Sequence, residues 1–258
     1  MVTRRGFTAA LFASSGLHAA KDTPVKKAKV TKIFRSPEGH PNAMETVPEG
    51  VWIGEQVSDT AYLMDWKGNV LKKVQTESSN TSGIAFGDGV LWIAANGKAI
   101  MRDPKPSDAT TGKIVKVDPG NGRTLARYDV PGGGGVHGLL FHNGKLWITS
   151  LKLQKLSQVD PKTFEVVHQI PCKLGRAHGL DWDKGYIWCM FSNERQIHRI
   201  DPKDGTVAGI VQLGDKDPDP HGMCMHYGKL YYCDAGIAPG AKPNNSPDAG
   251  WICRIDLV

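Results

Sequence analysis

Hydrophobic and polar residues alternate along this chain in short runs, and the runs recur in a fixed order. One run opens with His137-Gly138 and Leu-Leu-Phe, passes through Asn143-Gly144, and continues with Leu-Trp-Ile. An Asn-Gly pair between two alternating runs is typical of a tight hairpin turn. The pattern therefore predicts two short antiparallel strands, the first of which opens at a histidine.

The same pattern occurs five times. In every copy one residue lies ten positions before the aromatic residue of the second strand, and we call this residue position zero. The five position-zero residues are Asn42, Ser82, His137, His178 and His221. Successive copies are about 40 to 55 residues apart, which is enough chain for the four short strands of a propeller blade.

The remaining strands of each repeat also follow a fixed order. A third run ends in Asp, often followed by Pro, as in residues 114–119. Asp and Gly suit the turn that follows, because Asp can cap its own backbone and Gly accepts a positive φ. A β-rich fourth run comes next, as in residues 124–130. Helix signals are nearly absent, so the sequence predicts an all-β fold built from four-stranded repeats.

The two ends of the chain complement each other. The last repeat ends at Val258 without a fourth strand, whereas residues 29–35 read as a spare strand before the first repeat. If this strand completes the C-terminal blade, the ring closes without a free sheet edge. We therefore predict a single five-bladed β-propeller domain over residues 29–258. Two long loops, 97–113 and 235–250, are expected to lie over one face.

The first residues have the pattern of an export signal. Arg4-Arg5 looks like a twin-arginine motif, a mildly apolar stretch follows, and small residues before position 21 offer a cleavage site. We expect residues 1–20 to be a signal peptide that the twin-arginine export machinery reads, and residues 21–28 to be a linker. The mature protein would then be periplasmic or secreted. The alternative is an ordinary basic N-terminus.

Composition and charge narrow the function classes. The 258 residues carry a net charge of +6, but the Lys and Arg residues are scattered, which argues against a nucleic-acid partner. No apolar stretch approaches the roughly 18 residues of a membrane span. We expect a monomer whose partner is a small-molecule substrate. The five cysteines lie mostly in apolar strands, which favours buried free thiols, although one or two disulfides would suit an oxidising compartment.

The repeated pattern His-Gly-Leu-x-Phe-x-x-Gly-x-Leu-Trp-Ile, with a later strand ending in Val-Asp-Pro, resembles the virginiamycin B lyase-like and gluconolactonase-like (senescence marker protein-like) propellers. The resemblance covers residues 29–258 and implies that position zero lies at one mouth of the central channel. In these relatives, virginiamycin B lyase is a metal-assisted lyase with a channel His and a nearby Glu, and the lactonases bind a divalent cation through Glu, Asn and Asp. Some pectin-fragment lyases on larger propellers use three His and an amide. This chain differs from the first two in blade number and ligand set, so their substrates do not carry over.

Three of the five position-zero residues are histidines. Equivalent blades would bring His137, His178 and His221 around a common point, where neutral imidazoles suit Zn, Mn, Fe, Ni or Cu, with Mg or Ca also open. Asn42 would add an amide oxygen, and His40, two residues earlier, would be a further ligand from the loop. We therefore predict a divalent or transition metal ion as cofactor. The alternative is that each histidine hydrogen-bonds the neighbouring blade and fills the channel mouth.

The second strand of each repeat runs back towards the same mouth, so its end should face position zero. Glu55 and Asp234 are candidate general bases or extra ligands, and Arg195 is a candidate catalytic cation. The candidate substrate-binding residues around them are Ser82, Lys98, Ser150 and Arg176. The cations among them favour an anionic substrate such as a carboxylate, although loop cations are also what any solvated surface offers.

These residues together predict an exported, metal-dependent enzyme. The metal would act as a Lewis acid on a carbonyl or carboxylate, and a nearby base would abstract a proton. Our first expectation is a lyase that acts on a small carboxylate- or lactone-containing substrate. A lactonase or ester hydrolase is the alternative within the same metal chemistry, and a non-catalytic propeller that binds a ligand or a protein is the alternative from another class.

Overall fold

The computed structural model describes residues 23–173, 175–236 and 246–258. Within these ranges, twenty strands form five four-stranded blades, and the innermost strands contact one another in a closed ring. The predicted five-bladed β-propeller is confirmed. Residues 1–20, the predicted signal peptide, lie outside the described residues.

The blades follow one another along the chain. Blade 1 consists of β2 (Pro41–Val47), β3 (Gly50–Glu55), β4 (Thr60–Met64) and β5 (Val70–Gln75). Blade 2 consists of β6 (Thr81–Gly87), β7 (Val90–Asn96), β8 (Gly112–Val117) and β9 (Thr124–Asp129). Blade 3 consists of β10 (Leu139–His142), β11 (Lys145–Ser150), β12 (Lys155–Val159) and β13 (Val166–Pro171), with a short 3-10 helix at Leu151–Leu153. Blade 4 consists of β14 (Ala177–Asp183), β15 (Tyr186–Phe191), β16 (Gln196–Ile200) and β17 (Val207–Gln212). Blade 5 consists of β18 (Met223–His226), β19 (Lys229–Cys233), β20 (Trp251–Leu257) and the N-terminal strand β1 (Val25–Arg35).

Strand β1 closes the ring as predicted. It pairs antiparallel with β20, from Ala28 opposite Leu257 to Arg35 opposite Trp251. The strand begins at Val25, four residues earlier than predicted, so the end of the predicted linker belongs to it. Its first three residues pair in parallel with β17 of blade 4, which joins blades 4 and 5 into one eight-stranded sheet.

Within the described residues, the hydrophobic core is divided into five clusters, one between each pair of neighbouring blades. Trp52 of blade 1 packs against blade 2, Trp92 of blade 2 against blade 3, and Trp147 of blade 3 against blade 4. A further cluster joins blades 4 and 5, and the last joins blade 5 to blade 1. Because every blade buries both of its faces, the alternating apolar runs find partners on two sides. All five cysteines lie buried in these clusters or beside them as free thiols, as the apolar pattern predicted.

Turn chemistry places the strand ends. At Asn143-Gly144 both residues have positive φ, 49° and 66°, which is the two-residue hairpin turn that the sequence predicts. At the third strand of blade 2, the side chain of Asp118 accepts a hydrogen bond from Gly120 N at 2.7 Å, and its backbone oxygen accepts one from Gly122 N.

Among the described residues, no helix is long and apolar enough to cross a membrane.

Candidate functional site

In blades 1 and 2, position zero is the extra residue at an irregularity of the innermost strand. In blade 1, Pro41 faces Glu55 and Ala43 faces Gly54, so Asn42 is the extra residue of a β-bulge. Ser82 holds the same place in blade 2, between Thr81 and Gly83. A bulge turns the extra side chain out of the regular pleat, and here it does so at one end of the channel.

The residue after position zero brings neighbouring blades close together. A Cβ atom added at Gly138 would overlap the backbone oxygen of His178, and one at Gly83 would overlap that of His137. The hydroxyl of Thr149 accepts hydrogen bonds from His137 N at 2.9 Å and from Gly138 N at 2.8 Å, which fixes the entry into β10. The five position-zero side chains therefore form a crowded ring, and all five are buried.

Two of the five side chains bind the neighbouring blade directly. The Nδ2 atom of Asn42 donates to Thr81 O at 3.1 Å, and the hydroxyl of Ser82 donates to Val136 O at 2.7 Å. In both cases the acceptor is the carbonyl just before the next position zero. The Nδ2 atom of Asn42 and the hydroxyl proton of Ser82 thus make contacts between blades, whereas the amide oxygen of Asn42, the predicted metal ligand, has no partner in the described ranges.

The three histidines come together, as the repeat alignment predicts. The rings of His137 and His178 stack, with centroids 4.1 Å apart and planes at 21°. The ring of His221 meets that of His178 edge-on, at 4.8 Å and 88°. His142, five residues beyond His137, lies apart from this group and stacks on Trp182 instead.

Burial keeps at least two of these imidazoles neutral. Desolvation, with the positive charge of Arg176 as a lesser cause, holds the pKa of His137 well below its usual range. Desolvation does the same to the pKa of His178, helped by the two neighbouring imidazoles and by Arg176. Neither ring nitrogen of His178 has a hydrogen-bond partner in the described ranges. The Nδ1 atom of His221 lies 3.3 Å from Asp219 O.

The predicted metal centre does not fit this arrangement. A ligating imidazole places the metal in its own ring plane, about 2.0–2.1 Å from the nitrogen. Stacked rings such as those of His137 and His178 do not share such a point. Across the described parts of the chain, no group of three or more His, Cys, Asp or Glu residues is arranged to hold a metal ion.

His40, the other predicted metal ligand, contacts blade 5. Its Nδ1 atom lies 2.9 Å from Ala235 O of blade 5, so the ring bridges the blade 5–blade 1 boundary. Ser150, a predicted substrate contact, is buried and shares a hydrogen bond of 2.8 Å with the hydroxyl of Ser157. Lys98 is exposed on the loop after β7. The structure brings none of these three into the imidazole group.

Glu55 is a buried carboxyl group with one oxygen bonded and one oxygen unpartnered in the described ranges. Its side chain is fully buried at the end of β3, next to the Asn42 bulge. One carboxyl oxygen accepts hydrogen bonds from Val57 N at 2.9 Å and Ser58 N at 2.6 Å. The other oxygen, Oε1, has no partner within the described residues. Desolvation raises the pKa of Glu55, although the hydrogen bonds from Ser58 act against it.

Other unpartnered oxygens lie beside Glu55. The amide of Gln56 donates to Asn80 Oδ1 at 2.6 Å, and this leaves Gln56 Oε1 buried without a donor in the described ranges. Asn42 Oδ1 is also buried without a donor in the described ranges, while the Nδ2 atom of the same amide donates to blade 2. Three residues of blade 1 therefore each carry a buried acceptor without a donor in the described ranges: Asn42, Glu55 and Gln56.

Two of the predicted catalytic residues, Arg195 and Asp234, form hydrogen bonds with loop residues. The guanidinium of Arg195 donates to Gly214 O, Asp217 O, Pro218 O and the carboxylate of Asp219, so it holds the 214–219 loop. The carboxylate of Asp234 accepts from Asp219 N at 2.8 Å, Gly236 N at 2.8 Å and the hydroxyl of Ser246 at 2.5 Å. These contacts occupy both groups within the described residues, and their catalytic roles remain predictions.

Asp219 is a site residue that the sequence reasoning missed. Its Oδ1 accepts from Arg195 at 3.0 Å, whereas its Oδ2 is buried with no partner among the described residues. Desolvation, followed by repulsion from Asp234, raises its pKa to about 6. Arg176, the remaining predicted substrate contact, lies near enough to affect Asp219 and two of the histidines, and its own pKa is lowered by desolvation. The spacing could have pointed to Asp219, because it precedes the position-zero residue of its blade by two residues, as His40 does in blade 1.

Comparison with known proteins adds a family that the repeats did not suggest. A family model described as Glutamine cyclotransferase matches residues 109–221, slightly less than half of the chain. No curated protein matches the sequence. Among solved structures, glutaminyl cyclase from Myxococcus xanthus is similar with a TM-score of 0.67 and 13% identity, over 92% of this chain and 98% of that one.

Two lyases share the fold at a greater structural distance. A streptogramin B lyase is similar with a TM-score of 0.52 and 13% identity, over 90% of this chain and 98% of its own. Virginiamycin B lyase from Staphylococcus aureus has a TM-score of 0.50 and 16% identity, over 86% of this chain and 68% of its own. At these identities, the likenesses show a common propeller fold and nothing finer.

The family match corrects the functional expectation. The matched family consists of enzymes, in agreement with the expectation of an enzyme. A cyclotransferase, however, is neither a lyase nor a lactonase or ester hydrolase, and the match also disagrees with a non-catalytic propeller. The resemblance to virginiamycin B lyase-like propellers therefore holds for architecture, and the lyase chemistry inferred from it is wrong.

Proposed function

We propose that this protein is a glutaminyl cyclotransferase-type enzyme. Its substrate would be an N-terminal glutaminyl residue of a peptide, which it closes to a five-membered lactam with release of ammonia. The family match and the glutaminyl cyclase likeness support the reaction class. The observation that carries the proposal is Glu55, a buried carboxyl with a raised pKa and one unpartnered oxygen at the channel mouth.

One carboxyl group can serve both proton transfers of this reaction. Glu55 accepts a proton from the α-ammonium of the substrate, and the resulting amine attacks the side-chain carbonyl carbon. The new C–N bond gives a tetrahedral intermediate whose oxygen carries the negative charge. Glu55 then returns its proton to the former amide nitrogen, the old C–N bond breaks, and the departing ammonia takes the second proton of the ring nitrogen, which leaves a neutral lactam and ammonium. A base whose pKa is raised towards the working pH suits both halves of this cycle.

The unpartnered oxygens support this choice of substrate. An α-ammonium and a carboxamide both offer N–H donors, and the Glu55 corner carries Asn42 Oδ1 and Gln56 Oε1 as acceptors without donors in the described ranges. A substrate that supplies N–H groups would remove the desolvation cost of leaving these acceptors unpaired. In this arrangement Asn42 and Gln56 orient the substrate and Glu55 moves the proton.

The test is cyclisation of the dipeptide Gln-Ala, followed by ammonia release and by mass spectrometry of the lactam. We expect purified protein to convert Gln-Ala and to leave Glu-Ala unchanged at neutral pH. Glu55→Gln should lower kcat/KM by about 100-fold or more, because it removes the proton carrier and keeps the shape. Glu49→Gln is the matched control, since Glu49 is an exposed acid in the β2–β3 turn of the same blade.

The pH profile gives an independent reading. Glu55 acts as a base only when ionised, so kcat/KM should fall as the pH is lowered through its raised pKa. Lack of turnover of Gln-Ala by the wild-type protein would overturn the proposed function. Full activity in Glu55→Gln would instead remove Glu55 from the mechanism.

A further inference from the structure

A concave cleft lies at the opposite end of the propeller from position zero. The cleft between blades 4 and 5 has a volume of about 610 Å³, within the range of small-molecule sites. It is bordered by the β14–β15 turn at Lys184 and by the β18–β19 turn at Gly228. Nothing in the proposed cyclisation uses this cleft.

The cleft has room beside Arg199 because the residue paired with Arg199 on the neighbouring strand is a glycine. Trp188 of β15 pairs with Arg199 of β16, and Arg199 pairs with Gly209 of β17. A Cβ atom at Gly209 would meet only Pro24 O, at 3.9 Å. Since residues in one cross-strand row share a face of the sheet, the missing side chain leaves space beside Arg199.

The guanidinium of Arg199 is an unused donor on the wall of this space. It lies over the ring of Tyr186, with Cζ 4.4 Å from the ring centroid. In the described ranges it makes no hydrogen bond and no ion pair, and its Nε atom is buried without a partner. The cations of neighbouring Arg254 and Lys229, by contrast, are both paired with Asp256.

The charge and shape of the lining indicate a class of ligand. Among the described residues, the cleft is lined by the cations Lys26, Lys184, Arg199 and Lys229 and by the carboxylates Asp183 and Asp256. Because Lys229 and Asp256 pair with each other, three cations remain against one carboxylate. Tyr186 and Trp188 add flat apolar walls. A guanidinium prefers a carboxylate because it can donate two parallel hydrogen bonds to it.

We propose that the blade 4–blade 5 cleft binds a small aromatic carboxylate. Its carboxylate would accept hydrogen bonds from the terminal nitrogens of Arg199, and its ring would pack against Tyr186 and Trp188. The site is separate from the channel mouth, so this binding does not depend on the proposed cyclisation.

The experiment uses 4-fluorobenzoate with the full-length protein and follows the fluorine NMR signal during titration. We expect saturable binding of 4-fluorobenzoate and much weaker binding of 4-fluorobenzamide, which has the same shape without the charge. Arg199→Gln should weaken binding by about tenfold or more, as expected for loss of a charge-assisted contact. Gly209→Leu should abolish binding by filling the cleft.

Matched variants separate this site from general charge effects. Lys116 of blade 2 occupies the place equivalent to Arg199, opposite Trp92 and Ala126, so Lys116→Gln should leave the affinity unchanged. Thermal unfolding of each variant checks that it is folded, and Arg199→Gln remains informative where Gly209→Leu is unstable. Equal affinity in wild type and Arg199→Gln, equal binding of the amide, or absence of saturable binding would each overturn the proposal.

Discussion

Replacement of His178 by Phe should make the fold more stable. The imidazole of His178 is fully buried, and neither of its nitrogens has a partner among the described residues. A buried polar group without a hydrogen bond costs about 1–3 kcal/mol. Phe keeps a flat ring and removes both polar atoms, while its larger ring adds some packing strain. We expect the free energy of unfolding at pH 7.5 to rise by about 1–2 kcal/mol.

The same substitution should change the pH dependence of stability. The pKa of His178 is well below its usual range in the folded protein, whereas the unfolded chain takes up the proton near pH 6.5. Below that pH the unfolded state binds more protons than the folded state, so acid destabilises the wild type. From pH 7.5 to 5.5 one such histidine costs about 1.4 kcal/mol. The stability advantage of His178→Phe should therefore be larger by about this amount at pH 5.5.

Urea unfolding at pH 7.5 and 5.5 measures both effects. His178→Asn is the companion variant, because it also removes the titrating ring but keeps buried polar atoms. It should show the same change in pH dependence without the gain at pH 7.5. Carboxyl groups with raised pKa, such as Asp219, are common to all three proteins and cancel in the comparison. If wild type and His178→Phe lose stability equally on acidification, His178 is protonated in the folded protein and the reasoning is refuted.

Three further changes test the fold. Gly138→Ala should destabilise the protein by about 3 kcal/mol, because its Cβ would overlap a backbone carbonyl of the next blade, whereas Gly209→Ala, in open space, should be near neutral in thermal unfolding. Arg102→Met should cost about 3 kcal/mol and expose the 97–111 loop to limited proteolysis, because it leaves the buried carboxylate of Asp59 without its ion-pair partner. Deletion of residues 23–35 should give aggregated protein in light scattering, because it uncovers the edge of blade 5.

The architecture could be predicted because each blade repeats the same local signals at the same offsets. The His137-Gly138 opening, the Asn143-Gly144 turn and the Asp that ends the third strand each follow from backbone preferences of a few residues. Alignment of the repeats then implies proximity at the channel mouth. It does not imply ring orientation, which depends on side-chain rotation. Shorter Asn42 and Ser82 reach the next blade's carbonyl, whereas the longer imidazoles stack.

The hydrogen-bond partners of residues on irregular loops could not be predicted from the sequence, for a different reason. Arg195 and Asp234 follow the second strands of blades 4 and 5, but their partners come from the 214–219 loop and from Ser246, which have no counterpart in other blades. Without a repeated reference, the conformation of such a loop cannot be read from spacing. For the same reason, the sequence did not predict that Arg102 anchors the 97–111 loop on Asp59.

The two ends of the propeller have opposite hydrogen-bonding demands. At the channel mouth the buried atoms without partners in the described ranges include acceptors on Glu55, Gln56 and Asp219, while Arg195 is saturated by loop oxygens. This arrangement suits an ammonium and a carboxamide better than the anionic substrate that the rim cations suggested. In the blade 4–blade 5 cleft the unused group is the donor Arg199, which suits a carboxylate. Glu55→Gln should therefore lose cyclisation and keep 4-fluorobenzoate binding, whereas Arg199→Gln should do the reverse.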